Sequence, residues 1–388
     1  MGEWKKYKFS EFVDINPNVK LKSGKEYSYV EMKDIADGQR HCTSKITRPI
    51  KGGSKFQDSD TLFARITPCL ENGKIAQVVD LSNGVGFGST EFLVFRGKQK
   101  TSDSNFVYYL SRWEEVRDFA EKNFEGSSGR QRVPRDCFEN LTLELPSLKE
   151  QTAIASILSA LDDKIDLLHR QNKTLESLAE TLFRQWFVEE AKQDWHLGKL
   201  NDVISVKGGT TPSTTKPEYW DGDVFWTSPR DLSNHPAIYL TTTSRKITQK
   251  GLAQISSGLL PIGTVLLSSR APIGYLAITD IPVAINQGYI AILCDKIVSR
   301  YFIYLWCKAN MAEIENAGNG SVFQEISKST FKELDLIIPP KQKLLSFDKE
   351  IKPFFQKIKS NQTQIGTLTQ LRDSLLPKLM SGEVRVEI

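Results

Sequence analysis

Histidine, paired cysteine and long apolar runs are all scarce in this chain, and each scarcity closes off a class of activity. The four histidines, His41, His169, His196 and His235, are isolated from one another and show no metal-ligand spacing. The five cysteines, Cys42, Cys69, Cys137, Cys294 and Cys307, never form a C-x-x-C pair, so neither a disulfide framework nor a zinc site is indicated. No apolar run approaches the ~20 residues a bilayer crossing requires, and no signal-peptide apolar region follows the first residues, so a cytoplasmic protein without a membrane partner is expected. A charge bias is missing too. With 51 Lys+Arg against 47 Asp+Glu the net charge is +4, which permits a polyanionic partner without demanding one.

What the chain does have is itself, twice. The stretch FENLTLELP at 138–146 returns as FKELDLIIP at 331–339, 193 positions later (331 − 138), with Phe, Leu, Leu and Pro in matching places. The self-similarity runs nearly end to end: the segment from Trp4 answers the one from Trp195, Tyr29 to Ile35 answers Trp226 to Leu232, and Phe106-Val-Tyr-Tyr answers Phe302-Ile-Tyr-Leu. A repeat of this kind governs the architecture. Each copy opens with a mixed segment, in which short β-rich runs (92–95, 264–268, 289–293) sit between Gly, Pro, Ser and Asn turns and a helix covers 105–122. The fold class expected is α+β, with 388 residues giving two or three domains.

Beyond Pro146 the pattern changes. Ile154, Leu158, Leu161, Ile165, Leu168, Asn172, Leu175, Ala179, Leu182 and Trp186 advance by alternating steps of four and three, the spacing of a coiled-coil seam. The second copy offers Phe347, Ile351, Phe354, Ile358, Asn361, Ile365, Leu368, Arg372, Leu375 and Leu379. Pro353 is expected to kink or restart that helix and Pro377 to bend or end it, since an interior proline removes a backbone bond. Two such stripes bury each other most simply as an antiparallel pair. A register with Asn172 opposite Asn361 would set small Ala179 against large Phe354; the alternative leaves Asn172 at a wet helix edge.

Basic and amide side chains cluster locally despite the even charge. The run 126–135 carries Arg130, Gln131, Arg132 and Arg135 among glycines and serines, and its counterpart 318–325 keeps the glycines and Gln324 without the arginines. Lys51, Lys55, Arg65, Arg230, Arg245, Lys246 and Arg270 complete the set. Such residues meet base edges or phosphates; Arg65 and Arg270 serve equally well in structural ion pairs, and the lysines suit phosphate or water. Arg65 and Arg270 align only to within one residue, and on a strand one residue of slip reverses the face.

The doubled layout, together with LPSLKEQTAIASILSALDDKID, SSRAPIGYLAI, INQGYIAIL, WHLGKLNDVISVKGGTTP and LTQLRDSLLPKLMSGEVRV, resembles the specificity subunit of type I restriction-modification systems over essentially the whole chain. One departure is visible: Pro340-Lys-Gln-Lys-Leu-Leu stands where the family usually keeps the Glu-Gln seen at Glu150-Gln151. The resemblance implies a target recognition domain at 1–146, a conserved helix at 147–190, a second recognition domain at 191–339 and a distal helix with tail at 340–388, the whole related by a pseudo-two-fold. It implies that each recognition domain reads one half of a bipartite site in double-stranded DNA. The helices would space the domains and dock methyltransferase subunits, two per specificity subunit, with restriction subunits joining in the full complex.

Catalysis is not expected here. A loop for a flipped adenine, Asn/Asp-Pro-Pro-aromatic, is missing, because Asn16-Pro17-Asn18 fails at its third position. No G-x-x-x-x-G-K-[ST] phosphate loop occurs, and Glu31-Met-Lys33 lacks the spaced acid a metal nuclease needs. Neither cofactor nor metal is expected. The rival readings are a coiled-coil scaffold that binds protein without reading DNA, and an enzyme with an unrecognised site in the module cleft.

Overall fold

The central strands of this chain are short, mostly apolar runs bracketed by turn residues. Thr61–Ala64, Ile75–Val78 and Val265–Ser269 are buried at every position, as strands covered on both faces must be. The computed structural model describes residues 3–387 apart from 37, 128, 234–236 and 321–323, so His235 and part of the second candidate loop lie outside the described residues.

The chain divides into two units, Met1–Leu167 with Ile365–Ile388, and Leu168–Gln364. Each unit therefore takes a share of both long helices instead of leaving them as separate segments. In the first unit a five-stranded sheet runs Val13–Ile15, Phe92–Gly97, Thr61–Ala64, Ile75–Val78, His41–Cys42; in the second it runs Ser205–Gly208, Tyr289–Leu293, Val265–Ser269, Ile273–Thr279, Tyr239–Leu240. In both, the last strand is parallel to its neighbour and the other pairings are antiparallel. A helix packs on each sheet. Ser104–Arg112 is capped by the Asp103 carboxylate, and Arg300–Ala309 by the Ser299 hydroxyl, caps that satisfy an otherwise orphaned N–H.

The repeated nonapeptide forms the second strand of a two-stranded ribbon in each unit, Lys5–Lys8 with Thr142–Leu145 and His196–Lys199 with Asp335–Ile338. Their outer faces differ. Lys6 opposes Glu144 at 3.8 Å in the first. In the second, Leu197 opposes Ile337, left 64% and 44% exposed beside a cavity of about 370 Å³ lined in part by Phe183, Phe302 and Trp306.

The long helices span Leu148–Arg184 and Lys341–Met380, 37 and 40 residues, or about 55 and 60 Å at 1.5 Å per residue. The second runs through both Pro353 and Pro377 without a break. Both prolines are exposed, as are Lys349 and Asp373 four residues earlier, so the carbonyls that lose a partner can be hydrated. Partner numbers along one segment fall as those along the other rise: Glu150 meets Arg385 and Asp162 meets Arg372 in the first unit, and Asn172 meets Asn361 and Phe183 meets Phe347 in the second. Within each unit the helical segments are thus antiparallel.

Along the seam Ile154, Leu158, Ile165, Leu168, Ala179, Ile351, Ile358 and Asn361 are buried, while Leu161, Asn172, Leu175, Ile365 and Leu368 are half-buried. Two positions shift by one residue from the sequence expectation. Phe355, not Phe354, is fully buried, and Asp162 rather than Leu161 points into the packed layer. A helix turns 3.6 residues per turn, so the seam drifts between adjacent positions, and Phe354 is left at the edge of the cluster. Asn361 Nδ2 donates to Asn172 Oδ1 at 2.9 Å and to Gln171 Oε1 at 3.3 Å.

The departure at Glu150 is answered by an exchange of charge. In the first unit Glu150 accepts from Arg385 and from Trp4 Nε1. At the matching place in the second unit Lys343 pairs with Glu190 at 3.1 Å and lies over the Trp186 ring.

Candidate nucleic-acid interface

The arginine-rich run and its glutamine-bearing counterpart are each closed by the same kind of backbone bridge. In the first unit Glu125 and Arg132 exchange backbone hydrogen bonds at 2.9 and 2.8 Å, closing a short loop; in the second Asn319 and Glu325 do so at 3.0 and 3.0 Å. Gly126 and Gly320 each adopt a left-handed φ, +110° and +128°, which a side chain would strain. Each loop then joins the end of a central strand. Val133 N–H donates to the Arg65 carbonyl and Ile326 N–H to the Ser269 carbonyl, while Arg65 N–H reaches Glu91 O and Ser269 N–H reaches Gly288 O. Isolated bridges link Ile66 with Arg132 and Arg270 with Glu325.

These contacts fix the correspondence residue by residue. Arg65 matches Ser269, Ile66 matches Arg270, Glu91 matches Gly288, Gln131 matches Gln324 and Arg132 matches Glu325. Arg65 and Arg270 are therefore not counterparts. They stand one step apart, and the period of two along extended backbone sets them on different faces.

The side chains divide accordingly. Arg132 binds the Glu91 carboxylate through Nε and Nη2 at 2.9–3.0 Å, a two-pronged pairing that holds its proton more tightly than usual. Arg270 lies 3.7 Å from Glu325. Both guanidiniums expected to meet nucleic acid thus already have a carboxylate, which offsets part of their charge toward phosphate. Arg65 is half-buried, with Nε enclosed and without a partner among the described residues. Burial pulls its pKa down, Glu91 opposes that, and Arg135 and Arg132 add to it. Arg130 is exposed, and Gln131 is pinned through its backbone by Thr67, whose hydroxyl accepts from Gln131 N–H at 3.1 Å.

Of the remaining candidates, Lys55, Arg245 and Lys246 sit on a second sheet of their unit. Lys55 lies on Ser54–Gln57, beside Ser54, whose hydroxyl donates to the Phe92 carbonyl at 2.7 Å; Lys51 is exposed in the turn before it. In the second unit Arg245 stacks 3.5 Å from the Trp220 ring centre and Lys246 4.8 Å from that of Phe225. Arg230 is exposed on the short helix Pro229–Ser233. Stacking fixes a guanidinium plane while leaving its edge open. Sequence reasoning missed Glu91 and Thr67, which no local pattern marks, and Arg48, which lies over Tyr29 at 4.3 Å and within 3.2 Å of Glu31. The two tryptophans of Trp220–Thr227, next to a following Arg-Lys pair, were the one available signal for the stack.

Among the described residues no group of three or more His, Cys, Asp or Glu is placed to hold a metal ion, and no helix is long and apolar enough to cross a membrane.

The chain is similar to known proteins. The family described as type I restriction modification DNA specificity domain matches residues 1–177 and 192–372. The specificity subunit of type I restriction enzyme MjaIX from Methanocaldococcus jannaschii is 41% identical over 162 residues, a stretch covering 41% of this chain and 38% of that protein. The HindI specificity subunit of Haemophilus influenzae is 24% identical over 465 residues, covering 99% of this chain and all of that one. A solved type I restriction-modification S subunit from M. genitalium superposes with a TM-score of 0.56 at 16% identity, covering 97% of this chain and 96% of that one, a likeness of fold. With the family matched twice along one sequence, the chain belongs to the specificity subunits of type I restriction-modification systems.

Proposed function

We infer that this chain is the DNA-reading subunit of its complex, each unit recognising one half of an asymmetric bipartite site in double-stranded DNA. The observation that carries the reading is a matching set of bridges with exchanged side chains: a bridged loop fastened to the corresponding strand end in each unit, but Arg65 for Ser269, Ile66 for Arg270 and Arg132 for Glu325. Matching bridges with unequal side chains suit two half-sites that differ in sequence. The internal repeat imitates a dimer of readers, whose half-sites lie about one helical turn apart. The long helices set the unread spacer and dock the methyltransferase subunits, two per chain, with restriction subunits joining in the full complex. Methyl transfer and cleavage belong to those partners, and the chain acts on cytoplasmic DNA without a cofactor of its own.

With a formal charge of +4 the isolated chain neutralises few phosphates, so its affinity should rise when methyltransferase subunits enclose the duplex. Filter binding at fixed salt, with and without those subunits, tests this; equal affinity counts against it. Arg65→Ala should lower the slope of log K against log salt by about one. Four residues inserted in the first long helix, about 6 Å of rise, should lengthen the spacer between methylated adenines and leave both half-sites as they were. Altered half-sites would remove the ruler.

A further inference from the structure

Among the residues these hydrogen bonds match, one side chain survives the exchange between the two bridged loops. Gln131 and Gln324 each stand one residue before the bridged position, at Arg132 and Glu325, and two before a buried apolar residue, Val133 and Ile326. Two residues beyond each, the backbone is fastened alike, through Val133 to Arg65 at 2.8 Å and through Ile326 to Ser269 at 3.0 Å, and Gln131 is held further by Thr67 through its N–H and its carbonyl. Beside each glutamine lies an ion pair of opposite sense. In the first unit the loop supplies the cation, Arg132, against Glu91; in the second it supplies the anion, Glu325, against Arg270. Charge has been swapped around a position at which the amide has not changed.

Neither amide has a hydrogen-bond partner among the described residues, and Gln324 is exposed while Gln131 is half-buried. A glutamine amide presents a donor and an acceptor side by side, the complement of N6 and N7 on the major-groove edge of adenine. A side chain carried on backbone that is already pinned loses less freedom on contact than one on a free loop. The ion pairs cannot supply the shared contact, because their signs at the loop are opposite. Arg65 cannot supply it either, because its counterpart is Ser269.

We propose that Gln131 and Gln324 are matching specificity-determining residues, each reading an adenine at the same step of its own half-site. The inference rests on the DNA-reading assignment above and deepens it.

The test uses the full chain reconstituted with its methyltransferase subunits and a pool of random-sequence duplexes at fixed salt, with bound molecules sequenced. The unaltered complex should enrich two half-sites with adenine at corresponding positions. Gln131→Ala should lower discrimination at that position of one half-site by about 5- to 150-fold, and Gln324→Ala should do the same in the other. Gln131→Glu should move the preference from adenine to cytosine, whose N4 amino group donates to a carboxylate. Unchanged thermal unfolding of each variant secures the fold. Variants that keep the motif, or that weaken binding to all sequences equally, overturn the glutamine assignment and leave DNA reading standing. A pool with no enrichment for the unaltered complex overturns DNA reading, and the assignment with it.

Discussion

Two equivalent layers of the helix seam are built from opposite materials. In the first unit Asp162, 3% exposed, accepts from Arg372 at 2.7 Å and from the Tyr109 hydroxyl at 2.7 Å, and Arg372 also donates to the Gly38 carbonyl at 3.1 Å. The repeat carries these positions onto Phe355 and Ala179 in the second unit, both fully buried, with Phe355 edge-on to Tyr304 at 5.8 Å between ring centres. One layer is ionic and satisfied, the other apolar and filled by a large ring against a small methyl. A buried ion pair and a packed apolar pair can be of similar net stability, but they fail differently when one partner is removed.

That difference sets the largest expected effects. Arg372→Met strands Asp162 beside Tyr109 and should cost about 3–5 kcal/mol, read as loss of hydrogen-exchange protection in 148–167 and 365–380. Replacing both Asp162 and Arg372 by leucine should recover most of it, and a double variant as weak as the single one would break the account. Phe355→Ala should cost about 3–5 kcal/mol by leaving a cavity, measured by denaturant unfolding, while Phe354→Ala at the cluster edge should cost distinctly less. Asn361→Ala removes the amide contact to Asn172 and should cost about 1 kcal/mol by the same measurement.

The smallest effect separates the units by pH. Burial, with Arg40 assisting, holds His41 below its usual range against the opposing pull of Asp166, Asp163 and Asp162. The unfolded chain then binds the proton more readily, so this term is present above about pH 6.5 and is lost as the pH falls below it. His41→Asn should flatten the acid side of the first unit's stability, followed by hydrogen exchange across that range. Tyr239 holds the matching strand position in the second unit, where burial pushes its hydroxyl up and away from titration.

Much of this was legible in the chain. The repeat, the seam period and the pairing of 126–135 with 318–325 follow from spacing alone, because periodicity records which faces are buried. The one-residue questions were not. Whether Phe354 or Phe355 enters the seam depends on helix drift, and whether Arg65 matches Arg270 or Ser269 depends on hydrogen bonds to residues far along the chain, Glu91 and Gly288. Asp162 reads as one more surface acid until Arg372, 210 positions away, is placed against it. Helix continuity through Pro353 and Pro377 was obscured because sequence shows the lost hydrogen bond but not that both prolines lie on an exposed face.

The ribbon pair carries a practical consequence. Where the first unit shows water a lysine and a glutamate, the second shows Leu197 and Ile337, and apolar area of that kind limits how concentrated a solution stays clear. Copying Lys6 and Glu144 onto those two positions, as Leu197→Lys with Ile337→Glu, should raise that ceiling with no change to the loops that carry the glutamines.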